Sequence, residues 1–111
     1  MQMDRLQKLL TFLENEPNDP FLKYALATEY WGLKQTDKAL EYFEELVKIH
    51  PNYTGTYYHL GKLYESLDRK LEAIKIYEAG MKITKQQGDN HAFLELQSVY
   101  RIATGFEEDD D

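Results

Sequence analysis

The sequence has 111 residues, of which 42% are hydrophobic and 30% are charged, and its formal net charge is −7 at pH 7. This composition excludes a disordered chain and predicts a folded protein with one modest core. Because cysteine is absent, disulfides, thiolate zinc sites and a thiol nucleophile are excluded as well.

The first predicted element is a helix over residues 4–16. Leu6, Leu9, Leu10 and Leu13 fall on one helical face, and the turn residues Pro17-Asn18 end the segment. The N-terminal stretch lacks the apolar run of a secretory signal, and no segment approaches the about 18 apolar residues that would span a bilayer. We therefore expect a cytoplasmic protein that does not engage membranes.

Residues 20–53 predict two helices joined by a short turn. Asp19 can cap the first helix, and Pro20 suits its first turn. The helical pattern breaks at a turn around residues 34–36, and a second apolar helix is predicted from there until Pro51. No β-strand alternation is seen.

Residues 54–87 repeat residues 20–53 at an offset of 34. Eight of the 34 aligned pairs are identical, among them Tyr24/Tyr58, Leu26/Leu60 and Ala39/Ala73. Apolar and small residues dominate the identical pairs, as expected of a repeated packing unit. The sequence therefore predicts a second two-helix hairpin.

Gly61 interrupts a run of good helix formers in this second hairpin. A glycine inside a helix costs roughly 1 kcal/mol relative to alanine, so a close contact should require it. We expect Gly61 and Ala73 to be a small pair at the crossing of the two helices. A leucine at position 61 should then overpack the crossing and cost about 1–3 kcal/mol or more.

A last helix is predicted over residues 90–104, where apolar residues match those of the preceding repeat at an offset of 36. Together with the helix over residues 4–16, it would cap the ends of the repeats. Residues 107–111 are five carboxylates, which leaves residues 1–106 with a formal net charge of −2. We expect residues 107–111 to form an acidic disordered tail, and a body without a basic face predicts no nucleic-acid binding.

The repeated unit resembles the tetratricopeptide repeat (TPR) family. The second unit reads Tyr57-x-x-Leu60-Gly61-x-x-Tyr64 and then Ala73-x-x-x-Tyr77-x-x-Gly80, and the first reads Leu26-Ala27-x-x-Tyr30, Ala39-x-x-x-Phe43 and Pro51-Asn52. Lys23, Leu46 and Lys85 depart from the pattern, which has a large apolar residue, a small residue and a proline at these places. Without that proline, the second unit's last helix should run on toward Gly88.

The resemblance implies an all-α fold of about six helices, in which antiparallel helix hairpins stack as a short right-handed superhelix. It would be a single domain over residues 1–106. The resemblance also implies a concave groove, lined by the first helix of each unit, that holds a peptide or a helix of a partner. Carried over by position, the groove residues would be Tyr24, Thr28, Trp31, Tyr58, Lys62, Glu65, His91, Leu94 and Arg101.

These residues combine aromatic surface with positive charge, the composition of binding hot spots. Such a groove could hold a partner with acidic groups. The plainer interpretation is that the aromatic residues belong partly to the core and the charges to an ordinary surface. The carboxylate clamp of the chaperone-binding TPR proteins is missing, because Tyr24, Thr28 and His59 occupy its Lys and Asn positions.

No catalytic pattern accompanies the repeats. The three histidines lack metal-ligand spacing, and there is no glycine-rich phosphate loop and no nucleophile motif. We expect neither catalysis nor a cofactor, and a protein that binds other proteins. Two alternatives stay open: a self-associating structural protein whose groove or end caps are filled by another copy, and a subunit that binds through its convex face.

Overall fold

The computed structural model describes residues 2–105, with side chains from Asp4 onward. Over this range the regular structure is helical, which confirms the predicted all-α fold of about six helices. The helices are α1 (Gln2–Asn15), α2 (Pro20–Gly32), α3 (Thr36–Ile49), α4 (Gly55–Ser66), α5 (Lys70–Gln87) and α6 (Asn90–Thr104). The predicted acidic tail lies outside the described residues.

The chain forms two compact units, Met1–Tyr53 and Thr54–Asp111, each with three helices. In the first unit α2 packs against both α1 and α3. The backbone N–H of Phe21 donates to Asp19 Oδ1 over 2.9 Å, so α2 has the predicted cap as well as its proline. The single domain predicted over residues 1–106 stays a prediction.

The core of the first unit contains a charged side chain, Lys23, at a position where the repeat pattern has a large apolar residue. Lys23 is 5% exposed, and its Nζ lies 2.6 Å from Glu45 Oε2 on α3. Leu46, the other departure from the repeat pattern in this unit, is fully buried. An ion pair therefore links α2 to α3 at a position where the family has an apolar contact.

In the second unit α5 packs against both α4 and α6, and α4 also contacts α6. As expected without a proline at position 85, α5 continues to Gln87. It ends at Gly88, whose φ of 74° is the left-handed conformation that glycine adopts readily. This long α5 thus contacts both other helices of the second unit.

Gly61 makes room for an aromatic ring. A Cβ at position 61 would lie 2.5 Å from Cζ and 2.7 Å from Cδ1 of Tyr77, and closer still to its Cε1. The residue that needs the space is therefore Tyr77, one helical turn beyond the expected Ala73. Gly80 allows a second close approach, since a Cβ there would lie 2.6 Å from Tyr57 Cβ and 2.9 Å from Leu96 Cδ1.

Candidate functional site

Aromatic rings of α2 form the candidate site of the first unit. Tyr24 and Trp31 both set an edge against the buried Phe43, with ring centroids 6.3 Å and 6.5 Å away. Tyr24 also lies 5.6 Å from the ring of Tyr53. Both α2 rings are half-buried, so they belong partly to the core while keeping a solvent-facing part.

The contacts of the first unit fix these rings. Burial, and then the neighbouring Tyr53, raise the pKa of Tyr24 above its ordinary value. Thr28, between the two rings on the same face of α2, donates its hydroxyl to the carbonyl of Ala25 over 2.9 Å. The face therefore presents aromatic surface packed on the core, together with a threonine hydroxyl that is already bonded to the backbone.

The candidate residues of α4 lie beside a hydrogen-bonded pair in the second unit. The hydroxyl of Tyr77 donates to Glu65 Oε2 over 2.5 Å. Burial raises the pKa of Tyr77, and Glu65 and the nearby Tyr58 raise it further. Lys62 is exposed and has no ion pair among residues 4–105.

A hollow of about 270 Å³ lies where the start of α4 meets α6. Its lining consists of Thr54, Gly55, Tyr58, His59, Ala92, Glu95 and Leu96. His59 turns Nδ1 toward the carbonyl oxygen of Gly55 over 3.1 Å, and its ring stands edge-on to Tyr58. The hollow thus combines one aromatic face, one imidazole and one carboxylate.

None of the three α6 candidates lines this hollow. His91 pairs with the lining residue Glu95, with Nε2 3.5 Å from Oε2. Leu94 is 51% exposed and Arg101 is exposed, and neither lines the hollow. Sequence reasoning missed Glu95, because the repeat register points to His91 and Leu94 while the packing of α6 turns Ala92 and Glu95 toward α4.

Neither a metal site nor a membrane-spanning helix is found among the described residues. Within the described part of the chain, no group of three or more His, Asp and Glu side chains is arranged to hold a metal ion. The helices of residues 2–105 are all too short or too polar to cross a membrane.

Helix hairpins repeated every 34 residues, with small residues at the helix crossings, define the class of helical-repeat proteins. Two family models, each described as tetratricopeptide repeat, match residues 20–63 and 54–87. The chain belongs to the tetratricopeptide repeat family. Proteins of this family are in general interaction or scaffold modules without catalytic activity. No curated protein matches the sequence.

Solved structures of bacterial origin agree with this assignment. A tetratricopeptide repeat domain protein from Salinibacter ruber is 47% identical, with a TM-score of 0.78 over 80% of this chain and 90% of its own. A Bordetella parapertussis protein is 22% identical, with a TM-score of 0.77 over 95% of this chain and 94% of its own. MamA, 19% identical, has a TM-score of 0.71 over 96% of this chain and 61% of its own. The latter two show likeness of fold alone.

Proposed function

We propose that the protein is a non-catalytic interaction module that binds a peptide segment or a helix of another protein. The binding faces are the one on α2 in the first unit and the one on α4 and α6 in the second. The observation that carries the proposal is the pair of half-exposed rings, Tyr24 and Trp31, held against the buried ring of Phe43. A surface that only needed solvation would not require large rings at these positions.

Rings held in this way lose little conformational freedom when a partner covers them, so more of the contact energy remains as affinity. Aromatic anchors of this kind often carry most of the binding energy of an interface. Thr28, whose hydroxyl is already bonded to the backbone, adds no unsatisfied polar group that a partner would have to match. The α2 face is therefore suited to apolar side chains of the partner.

The proposed preference for acidic groups on the partner rests on two residues. Lys62 and Arg101 are exposed and form no ion pair within residues 4–105, whereas His91 is paired with Glu95. Exposed charges of this kind contribute more to association rate and specificity than to affinity.

The test is a comparative pull-down from extract of the source cells, read by mass spectrometry, with three full-length baits. They are the wild type, a face variant (Tyr58→Ala, Lys62→Glu, Arg101→Glu) and a control (Lys75→Glu, Lys82→Glu). The control makes the same charge change at exposed positions of α5. We expect a partner that the wild type and the control retain and the face variant loses. Equal retention by all three baits would exclude the face on α4 and α6 as the binding site.

Self-association is a second candidate function, favoured by exposed apolar residues on the end helices. Phe12 on α1 is 55% exposed, and Leu94 and Ile102 on α6 are 51% and 58% exposed. Apolar surface at the ends of a repeat array is a surface on which another copy could continue the packing. If copies associate in this way, sedimentation velocity will show a mass that rises with concentration, and Phe12→Ser will abolish the rise. A mass that stays that of one chain would exclude this candidate.

A further inference from the structure

A carboxylate and an aromatic ring line the hollow of the second unit together. Glu95 lines the same hollow as Tyr58. The side chain of Glu95 is 57% exposed, so its charge is accessible from solvent. The hollow thus holds one negative charge and one aromatic ring.

No lysine or arginine among residues 4–105 neutralises Glu95, because none forms an ion pair with it. The pairing partner of Glu95 is His91, at 3.5 Å, and that imidazole is 87% exposed and is charged only when protonated. The carboxylate of Glu95 therefore remains available to an external positive charge.

We propose that this hollow binds a basic side chain, arginine or lysine, of the partner segment. The inference rests on the proposed function and adds the chemistry of one contact. The aromatic face of Tyr58 attracts a cation through its ring quadrupole, and Glu95 supplies the opposite charge. The long alkyl stem of arginine or lysine would lie along the apolar Ala92 and Leu96, with the charged end at the carboxylate.

Size and overall charge support this occupant. The hollow, at about 270 Å³, has room for one long side chain. The net charge of −7 draws positively charged segments toward the protein. Lys62 and Arg101 are not among the lining residues, so the same partner can present a carboxylate to them.

The experiment uses the full-length ¹⁵N-labelled protein and four probe peptides, acetyl-Gly-X-Gly-amide with X as Arg, Lys, Met or Glu. Binding is followed by the amide shifts of residues 54–59 and 92–96, at up to about 10 mM peptide because a single side-chain contact gives only millimolar affinity. We expect saturable shifts at these residues with the Arg and Lys peptides and none with the Met or Glu peptides. Equal shifts with all four peptides, or no shift with Arg and Lys, would overturn the proposal.

Variants separate a binding role from a structural one. Glu95→Gln should weaken binding of the Arg peptide at least threefold, whereas Glu14→Gln, the same charge change at an exposed position of α1, should not. Tyr58→Leu should weaken it as well, and Tyr58→Phe, which keeps the ring, should restore it. An unchanged affinity in Glu95→Gln would contradict the proposal.

The peptide titration needs no natural partner, so its result is independent of the pull-down. A partner that the face variant loses but Glu95→Gln retains in full would sustain the proposed function and overturn this inference.

Discussion

Replacing Gly61 by alanine tests the contact between α4 and α5 with a single added carbon. The new Cβ would lie 2.5 Å from Cζ and 2.7 Å from Cδ1 of Tyr77, where ordinary contacts are 3.4 Å or longer. The new Cβ would lie closer still to Cε1, so the ring would have to retreat by more than about 1 Å. It has little freedom to do so, because Tyr77 is fully buried and its hydroxyl is bonded to Glu65.

The expected magnitude follows from two opposing effects. Overpacking a well-packed core costs about 1–3 kcal/mol, and the anchored ring argues for the upper half of that range. Alanine regains roughly 1 kcal/mol of helix propensity. We expect Gly61→Ala to lose about 1–2 kcal/mol, and Gly61→Leu to lose more because its three further carbons meet the same ring.

Gly32→Ala is the matched control, because a Cβ at that helical position meets nothing within 4 Å. It should leave stability unchanged or raise it by up to about 1 kcal/mol. Urea unfolding followed by circular dichroism measures both, and Gly61→Ala should also lower Tm by about 4–8 °C. If Gly61→Ala is as stable as the wild type, the close approach of Tyr77 to α4 does not constrain position 61 and the reasoning fails.

Three further predictions concern buried polar groups. Lys23→Met should leave the free energy of unfolding unchanged or raise it. Glu45→Gln should lower it by about 1–2 kcal/mol in urea unfolding, less than for a fully buried pair because the Glu45 side chain is 43% exposed. The reverse order of stability would contradict the buried ion pair. Tyr77→Phe should lose about 1 kcal/mol at pH 8 with its hydrogen bond to Glu65. Since burial raises the pKa of Tyr77 above the value of 10.0 that it would have when unfolded, the unfolded chain ionises first. The free energy of unfolding of the wild type should therefore fall as pH rises above about 10, and that of Tyr77→Phe should fall less steeply. Equal slopes for the two proteins would refute this prediction.

Helix positions were predictable because the signals are local. Asp19 and Pro20 mark the start of α2, and Gly88 marks the end of α5 through a backbone conformation that other residues adopt at a cost. The close approach at Gly61 was predictable too, but its partner was not. Which residue of α5 faces the glycine depends on how far the two helices slide along each other, and spacing within one helix does not determine that.

The candidate site was predictable to the level of the helix face. Tyr24 and Trp31 share the expected face of α2, but their packing on Phe43 is a tertiary contact that the repeat pattern does not specify. On α6 the repeat register points to Leu94, whereas the structure turns Glu95 toward Tyr58. Among the described residues α6 packs against α4 and α5, and these contacts set its rotation.

The most direct test of the central claim is calorimetric titration of the captured partner segment into three proteins. They are the wild type, the face variant (Tyr58→Ala, Lys62→Glu, Arg101→Glu) and the α5 control (Lys75→Glu, Lys82→Glu), each first shown to unfold at the same urea concentration. An interaction module that uses the face on α4 and α6 predicts an affinity at least tenfold weaker for the face variant and unchanged for the control. Equal affinities for all three proteins, or a loss in the control alone, would contradict the assignment of binding to the face on α4 and α6.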